Sequence, residues 1–475
     1  MKSVPLLLSA LLFPLAAARA ADQPNIVFIL ADDLGYTDVS SYGSKYYETP
    51  NIDRLVQEGL KFTNGYTNGP NCQPTRAALI SGQYGPRTGI YTVGGIERFN
   101  WRSQALRPVD NVVTLPAEKV TIAQALKGAG YATGLFGKWH LGSKPEAHPS
   151  KRGFDEAIVS NGRHFNFTTD PKVSYPEGTY LADFLTDKAV DFIERHKDGP
   201  FFLYVPHFGV HAPYEAKPEL IEKFKAKPAA GGHHDPVYAA MLASVDESVG
   251  RITAKLDQLG IAENTVVIFS SDNGGVGGYQ REGIQAKDTT DNAPLKGGKG
   301  TLSEGGIRAP YVFRWKGTIP AGTVSNQPIA SIDLYPSALD LAGAKKPEQH
   351  ILDGVSYVAH LKDPTHTKVE RDALFWHFPG YLGAGNNTWR TKPVSVVRSG
   401  QWKLIQSLED RSLQLYDLEA DQGEKNNLAS ANPEKAQELL GKLEAWREQV
   451  KAPLPTKNEK PEADAAPKKK NKRRK

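Results

Sequence analysis

Stretches with the pattern of buried strands alternate with amphipathic stretches along most of the chain. Short, continuous apolar runs predict strands that are covered on both faces, at residues 25–30, 131–136, 201–205 and 265–270. Apolar positions spaced three and four residues apart predict helices at residues 50–58, 120–127, 181–196, 237–259 and 332–341. This alternation is typical of an α/β fold, so we predict a mainly parallel sheet sandwiched by helices.

The pattern changes after about residue 372. Residues 402–405 and 414–418 read as short antiparallel strands, and residues 433–450 read as a helix. We therefore predict two domains, a large one at residues 21–372 and a smaller C-terminal one at residues 373–455. The smaller domain is expected to be an antiparallel sheet plus a helix, packed on the first.

The two chain ends differ in composition from these domains. Residues 1–20 combine Lys2, an apolar core and a small-residue cleavage site, which predicts a signal peptide and a periplasmic or secreted protein. We expect no transmembrane segment, because no later apolar run approaches the ~20 residues that span a bilayer. Residues 456–475 are rich in Lys and Arg and are predicted to be disordered.

The basic tail accounts for the positive charge of the chain. The formal net charge is +5, but residues 457–475 alone carry nine Lys/Arg and three Asp/Glu, which leaves −1 for the rest. The simplest interpretation is a solvated tail without function; weak attraction to anionic polysaccharide, the cell envelope or nucleic acid is the alternative. We do not expect nucleic acid to be the main partner.

Cys72 is the only cysteine among the 475 residues, so it cannot form an internal disulfide. Pro74 suits the first turn of a helix, which places Cys72 at a helix N-terminus, where unpaired amides and the helix dipole favour an anion. Arg76 lies one turn further and offers a guanidinium that matches an oxyanion. A buried, inert thiol is the alternative, but these neighbours favour chemistry at Cys72.

Acidic and amide side chains follow two of the predicted strands. Asp32 and Asp33 come after the first strand, and Asp272 and Asn273 come after the strand at residues 265–270. The carboxyl ends of parallel strands share one edge of a sheet, so these side chains can converge there. Their oxygens suit a hard cation such as calcium. Each pair alone would be read as a helix cap or turn, but together they indicate a metal site.

Basic side chains are expected at the same edge. If residues 138–140 are extended, Lys138 and His140 point to one side and Trp139 to the other. An exposed lysine and a structural histidine are the alternative. His211 follows the strand at residues 201–205, and Lys299 lies in a glycine-rich run whose backbone can approach a ligand closely.

Three of these segments resemble signatures of the type I sulfatase family, the arylsulfatase-like, formylglycine-dependent enzymes of the alkaline phosphatase-like superfamily. The segment Cys72-Gln-Pro-Thr-Arg76 resembles the first signature, and residues 130–142 resemble the second. Residues 298–306 resemble the Gly-Lys-Gly-x-x-x-Glu-Gly-Gly run, in which Lys299 is a better match than Lys296. Residues 398–403 and 424–428 resemble the closing segments, so the resemblance extends over about residues 24–450.

The resemblance implies a sulfuric ester hydrolase whose catalytic domain is the larger one. A formylglycine-generating or anaerobic sulfatase-maturing enzyme would convert Cys72 to formylglycine, which works as a hydrated aldehyde. Calcium, less often magnesium, would be held by Asp32, Asp33, Asp272, Asn273 and an oxygen of the modified Cys72.

The resemblance also implies roles for six catalytic residues, which are Cys72, Arg76, Lys138, His140, His211 and Lys299. One hydroxyl of the hydrated aldehyde attacks sulfur, with Asp272 as acceptor of its proton, while Arg76 and Lys138 hold the sulfate. His211, aided by Lys299, protonates the leaving oxygen. His140 then removes the proton of the second hydroxyl and sulfate is expelled. His207 stays outside this set as a structural residue.

Two other functions remain open from the sequence. One is a phosphodiesterase or phosphonate monoester hydrolase of the same superfamily, and the other is a catalytically idle, exported glycan-binding protein. If the chain is a sulfatase, export and its full-size scaffold point to sulfated glycans as substrates. Residues in stretches read as irregular are candidates either for a sugar pocket or for surface packing: Trp101, Arg102, Arg163, His164, His377, Tyr381, Trp389 and Arg390.

Overall fold

The computed structural model describes residues 23–385 and 388–459. The predicted signal peptide at residues 1–20 lies outside the described residues, as does the tail from residue 460 onward. No helix in the described part of the chain is long and apolar enough to cross a bilayer.

The strands, numbered in chain order, are β1 (Asn25–Ala31), β2 (Leu60–Phe62), β3 (Gly65–Tyr66), β4 (Leu106–Arg107), β5 (Ala132–Gly137), β6 (Glu156–Asn161), β7 (Thr168–Asp170), β8 (Phe201–Pro206), β9 (Thr265–Ser271), β10 (Tyr311–Arg314), β11 (Thr323–Ser325), β12 (Ile329–Ala330), β13 (Leu374–Phe378), β14 (Leu382–Gly385), β15 (Thr388–Thr391), β16 (Val394–Ser399), β17 (Trp402–Ser407), β18 (Leu413–Asp417) and β19 (Thr456–Lys457). The α-helices span Pro50–Gln57, Cys72–Ser81, Gly85–Thr88, Ile122–Gly128, Leu181–His196, Pro218–Lys225, Pro236–Gln258, Glu304–Ile307, Leu334–Leu341, Val358–Lys362 and Pro433–Gln449.

Within the described residues, nine strands form the main sheet in the order β11-β2-β10-β9-β1-β8-β5-β6-β7. The centre, from β9 through β1 and β8 to β5 and β6, is parallel. β10 runs antiparallel to both β9 and β2, and β7 runs antiparallel to β6. The predicted fold class, a mainly parallel sheet sandwiched by helices, is therefore confirmed.

Strand β1 shows why this sheet is covered on both faces. All seven of its residues are buried, and successive side chains point to opposite faces. Ile26, Phe28 and Leu30 belong to one hydrophobic core, whereas Val27 and Ile29 belong to another. Helices cover each face of the sheet. Burial of each large side chain of β1 therefore contributes about 1.5–3 kcal/mol to the stability of the fold, which holds β1 firmly at the centre.

The C-terminal part is the predicted small antiparallel sheet with a helix. Strands β13, β16, β17 and β18 form this sheet, and the helix Pro433–Gln449 packs on it. Their core also includes Tyr66 and Ile307 of the larger part, so the two parts share one hydrophobic cluster. Strand β19 pairs with β4, which means that Thr456–Lys457 are paired although the sequence places them in the disordered tail.

Candidate active site

The loops that follow β1, β5, β8 and β9 leave the sheet at the same edge. Their first residues continue the backbone hydrogen bonding between neighbouring strands. Backbone N–H groups just past each strand donate to the neighbouring strand or loop: His207 N to Leu30 O at 2.8 Å, Asp32 N to Gly209 O at 2.9 Å, Lys138 N to Pro206 O at 2.8 Å and Asp272 N to Ala31 O at 3.2 Å. The ladder therefore sets the first residues after β1, β5, β8 and β9 side by side.

The acidic residues after β1 and β9 meet at this edge. Asn273 Nδ2 donates to Asp33 Oδ1 at 2.9 Å, and the backbone N–H of Asp33 donates to Asp272 Oδ1 at 3.2 Å. Asp33 has a positive φ of 65°, a left-handed conformation that Asp tolerates better than most residues. Asp32, Asp33 and Asp272 are buried.

Each buried carboxylate is paired with a cation. Lys138 Nζ contacts Asp32 Oδ2, and Lys299 Nζ lies 2.6 Å from Asp33 Oδ2. The Arg76 guanidinium contacts Asp272 Oδ2 at 2.7 and 2.9 Å through two nitrogens. A buried charge without a partner costs several kcal/mol, so these pairs are what allow three carboxylates to share one site.

The three carboxyl groups differ in how firmly they hold a proton. Burial would raise every pKa, but the charges of Lys138, His211 and Arg76 hold the pKa of Asp32 well below its usual range. Burial of Asp33 is outweighed by Lys299 and His211, so its pKa is also lowered. At Asp272, burial and the nearby charge of Asp32 raise the pKa to about 6. Asp272 is thus the best proton acceptor of the three.

Cys72 is the first residue of the helix Cys72–Ser81, as its sequence context predicts. Its Sγ lies 3.4 Å from Asp32 Oδ1 and 3.8 Å from Asp33 Oδ1. Burial, together with the charges of Asp272 and Asp32, raises the pKa of the thiol well above its usual value. Burial and the two carboxylates outweigh the nearby charges of Lys138 and Lys299, so Cys72 is a protonated thiol here and a poor nucleophile in its unmodified form.

His211 completes the cluster around Cys72. Ligand atoms of Asp32, Asp33, Cys72 and His211 all lie within 4.8 Å of one another, and His211 Nε2 is 3.8 Å from Asp33 Oδ2. His207 points elsewhere: its Nε2 pairs with Ser248 Oγ at 2.9 Å, deep in the core.

The expected extended conformation of residues 138–140 is wrong. Strand β5 ends at Gly137, and His140 has a positive φ of 64°. The neighbouring Trp139 is buried, and its indole N–H donates to Ala147 O at 2.8 Å inside the core. His140 Nδ1 is buried without a hydrogen-bond partner, and burial, aided by the charge of Lys138, lowers its pKa to about 3. His140 is therefore a neutral imidazole.

The polar groups at the edge fit a hard cation. Asp32 and Asp33 supply ionised oxygens, and Asn273 Oδ1 is buried without a hydrogen-bond partner. Asp272 fits less well, because Arg76 and the Asp33 amide already occupy its two oxygens. The thiol of Cys72 and the imidazole of His211 would also suit zinc, a possibility that the sequence did not raise.

A second buried charge cluster holds the loop that carries Lys299. Lys403 of β17 contacts Glu304 Oε1 at 3.0 Å and Glu424 Oε1 at 2.8 Å, and all three are buried. The two N–H groups of Asn292 Nδ2 also lie within hydrogen-bond distance of three backbone carbonyls, including Gly297 O at 3.1 Å. Sequence reasoning placed Lys403 in a segment that resembles sulfatases but gave it no role, and it missed Asn292, because a single polar residue in a loop carries no pattern.

The candidate pocket residues separate into different environments. His377 lies in β13 and Trp389 and Arg390 lie in β15, so their assignment to irregular stretches is wrong. His377 bonds to Ser395 Oγ and Pro453 O and is buried, which makes it a structural residue.

Sequence reasoning also missed a cavity of about 430 Å³ beside His140, whose other lining residues include Gln73, Thr114, Lys144 and Asn161.

Comparison with known proteins gives matches over nearly the whole described chain. Residues 24–344 match the family model described as Sulfatase, and residues 298–451 match the model of the N-sulphoglucosamine sulphohydrolase C-terminal region. A sulfatase of Formosa agariphila is 36% identical over 530 residues, covering 94% of this chain and 93% of the relative.

Two further relatives have names that mention a substrate or ligand. The N-acetylgalactosamine-6-sulfatase of Sus scrofa is 37% identical over 366 residues, covering 72% of this chain and 66% of the relative. The crystal structure of Ps i-CgsB in complex with k-i-k-neocarrahexaose superimposes with a TM-score of 0.74 at 31% identity. That match covers 89% of this chain and 92% of the other.

Proposed function

The chain belongs to the sulfatase family and hydrolyses sulfate esters, and we propose that it does so on sulfated carbohydrates, through a formylglycine made from Cys72 and with a bound calcium ion. One observation carries this proposal. The sole cysteine begins a helix at the carboxyl edge of the sheet, in one cluster with Asp32, Asp33 and His211 whose ligand atoms lie within 4.8 Å of one another.

The surroundings of Cys72 support its role as a precursor. Burial and two carboxylates keep the thiol protonated, so an unmodified Cys72 is poorly suited to attack an anionic ester. An aldehyde at this position is uncharged and, once hydrated, offers hydroxyl groups to the same neighbours. We propose that a separate maturation enzyme carries out the oxidation and removes the sulfur.

Calcium is proposed as the ion, held by Asp32, Asp33 and Asn273, with Asp272 at its side. When bound, it would polarise a sulfate oxygen and lower the pKa of the nucleophilic hydroxyl. The ionised state of Asp32 and Asp33 and the unpartnered Asn273 Oδ1 support this choice.

The remaining residues supply charge and proton transfer. Arg76 and Lys138 both contact Asp32 from the site side and are placed to hold the negative sulfate oxygens. His211 and Lys299 both contact Asp33 and together would deliver a proton to the leaving alcohol oxygen. His140 is neutral and its Nδ1 has no hydrogen-bond partner, so it is the proposed proton acceptor when sulfate is expelled. Burial and the charge of Lys138 make it a weak base, and a bound anionic ester would offset that charge.

Sulfated carbohydrates are the proposed substrates for two reasons. A cavity of about 430 Å³ opens beside His140, large enough for a sugar ring next to the sulfate site. Two relatives are an N-acetylgalactosamine-6-sulfatase and a protein solved with a neocarrahexaose. Export to the periplasm or the medium, proposed from residues 1–20, would place the protein where such polymers occur.

The experiment is to produce the chain with and without a formylglycine-generating enzyme and to compare 4-nitrophenyl sulfate hydrolysis. Conversion of Cys72 lowers the mass of its tryptic peptide by about 18 Da, so mass spectrometry gives the matured fraction. Activity is expected to rise in proportion to that fraction, and Cys72→Ser in a host that matures only cysteine is expected to lose it. Full activity of the intact thiol would refute the aldehyde mechanism.

The same assay separates the alternatives. A phosphodiesterase or phosphonate monoester hydrolase would cleave a bis-aryl phosphate or an aryl phosphonate faster than the aryl sulfate. An idle glycan-binding protein would cleave none of them, even when Cys72 is fully converted.

A further inference from the structure

Two arginines without carboxylate partners flank the site. Arg98 ends the 3-10 helix Ile96–Arg98, and its guanidinium donates to the backbone O of Val93, a residue that lines the cavity at His140, at 3.0 Å. Arg390 lies in β15. Among residues 23–385 and 388–459, neither guanidinium forms an ion pair, whereas Arg76 pairs with Asp272 and Arg102 pairs with Glu97. The Nε of Arg390 is buried and has no hydrogen-bond partner.

Arg390 is held directly against the loop of Lys299. Its guanidinium carbon lies 4.7 Å from the ring centre of Tyr279, whose hydroxyl donates to Lys299 O at 2.7 Å. Its stem packs on Gly300, where an added Cβ would lie 3.0 Å from Arg390 Cδ. Gly300 N in turn donates to Pro70 O at 2.6 Å, two residues before Cys72. Arg390 thus packs against Tyr279 and Gly300, the residues that contact or adjoin Lys299.

Arg98 is brought to the same side by the loop that contacts Asn71. Asn71 Nδ2 donates to Thr92 Oγ1 at 3.0 Å, and Asn111 fixes this loop through bonds to the Tyr91 and Thr92 amides. Phe99 packs edge-on against Trp389, with ring centres 6.2 Å apart. Residues 98–99 therefore adjoin residues 389–390, and Arg98 and Arg390 share one rim of the site.

The charges of the two arginines are close enough to interact. The Arg98 side chain is exposed, but partial desolvation of its guanidinium and the positive charge of Arg390 lower its pKa, whereas a negative charge at Cys72 would raise it. Arg102, four residues along the chain, differs because both of its terminal nitrogens contact Glu97. Two neighbouring guanidiniums without a counter-ion repel each other, and an anionic ligand placed between them would remove that repulsion.

We propose that Arg98 and Arg390 form a second anion subsite, which binds a sulfate or carboxylate of the glycan other than the ester being hydrolysed. The inference rests on the proposed function, and it narrows the substrate class to glycans that carry at least two anionic groups close together. Arg98 is exposed and so accessible to a polymer, whereas Arg390 is anchored by Tyr279. The guanidinium fork suits either oxyanion.

The test uses the full chain carrying Cys72→Ala, which binds without turnover, and matched saccharides measured by calorimetry. The pairs are chondroitin disaccharides with one or two sulfates, glucosamine 6-sulfate with an N-acetyl or an N-sulfate group, and neocarrabiose with one or two sulfates. A monosulfated chondroitin disaccharide and its carboxyl-reduced form separate carboxylate from sulfate recognition.

In at least one pair, the second anion is expected to tighten binding by about tenfold, the range of a charge-assisted hydrogen bond. Arg98→Gln and Arg390→Gln are each expected to reduce that preference below about threefold, while binding of a saccharide with one anionic group, such as N-acetylglucosamine 6-sulfate or the carboxyl-reduced monosulfated disaccharide, stays the same. Arg102→Gln removes the same charge from the same loop and is expected to keep the preference, since Arg102 is already paired with Glu97.

Three outcomes overturn the subsite: equal binding within every pair, no binding of any saccharide, or a preference that survives in both variants. Aryl sulfate hydrolysis by the matured chain is measured separately and does not involve a second anion. If the protein hydrolyses the aryl sulfate but binds both members of every pair equally, the proposed function stands and only the subsite proposal is refuted.

Discussion

Asn273 Nδ2 donates a hydrogen bond of 2.9 Å to Asp33 Oδ1, although 240 positions separate the two residues in sequence. The bond joins the residues that follow β1 and β9, and it leaves Asn273 Oδ1 buried without a partner. An unsatisfied buried oxygen costs about 1–3 kcal/mol, which a bound cation would recover. This edge of the sheet is therefore prepared for an ion before substrate arrives.

Removal of the ion should lower both stability and activity. Protein treated with EGTA is expected to melt at a lower temperature than protein with calcium, since a ligand at 100 times its Kd stabilises the fold by about 2.7 kcal/mol. Asn273→Ala should weaken calcium binding, whereas Asn264→Ala, on the surface, should not. Elemental analysis that finds zinc, with no stabilisation by calcium, would contradict the assignment.

Lys299 and Lys296 give a matched pair within one loop. Lys299 Nζ lies 2.6 Å from Asp33 Oδ2, whereas Lys296 Nζ lies 5.6 Å from the ring centre of Tyr416, outside the cluster. Lys299→Ala is expected to lower kcat by about 10²–10⁴-fold, the range for loss of a proton-transfer partner. Lys296→Ala should stay within about tenfold of the parent. Equal losses in kcat on 4-nitrophenyl sulfate would remove Lys299 from the catalytic set.

Lys403 should matter for stability more than any exposed lysine. It is fully buried between Glu304 and Glu424, so Lys403→Met leaves Glu424 without its cation and leaves Glu304 with the more distant Arg308, at 3.6 Å. We expect a loss of about 3–5 kcal/mol in the free energy of unfolding, measured by urea denaturation.

Lys435→Met is the control for this variant. Lys435 pairs only with Glu438 on the helix surface, and its loss should change stability by less than about 1 kcal/mol. Similar midpoints for the two variants would show that the cluster of Lys403 contributes no more than a surface pair.

His377 should make the fold sensitive to acid. Burial lowers its pKa from 6.5 to about 4, and its ring nitrogens bond to Ser395 Oγ and Pro453 O. Because the folded pKa lies below the unfolded value, its contribution is complete above pH 6.5 and is lost as pH falls toward 4. The loss is at most about 3 kcal/mol.

The variant His377→Gln isolates this effect. It keeps a hydrogen-bonding side chain but cannot titrate, so its unfolding free energy should fall less between pH 6.5 and 4 than that of the parent. His140 and His207 also have lowered pKa values, so some acid sensitivity should remain in the variant. Parallel stability curves for the two proteins would show that His377 does not cause the slope.

Much of the fold follows from local patterns in the sequence. The helix predicted at residues 181–196 has those bounds in the structure, and β1 extends one residue beyond the predicted run. Strands β2, β10 and β11 have only three or four residues each and were not predicted. A strand that short has too few positions to show a period, and its pairing depends on residues far along the chain.

Which side chains gather at the carboxyl edge follows from the order of strands and loops in the sequence, because parallel strands lead into loops on one side of the sheet. The sequence thereby placed Asp32, Asp33, Asp272 and Asn273 together before any coordinates. The pairing of these groups depends on the folded chain: Lys138 contacts Asp32, Lys299 contacts Asp33, and Arg76 contacts Asp272. The same holds for the left-handed turn at His140 and for the neighbouring Arg98 and Arg390. Periodicity is a local property of the chain, whereas ion pairing and burial depend on contacts between distant segments, which no local pattern records.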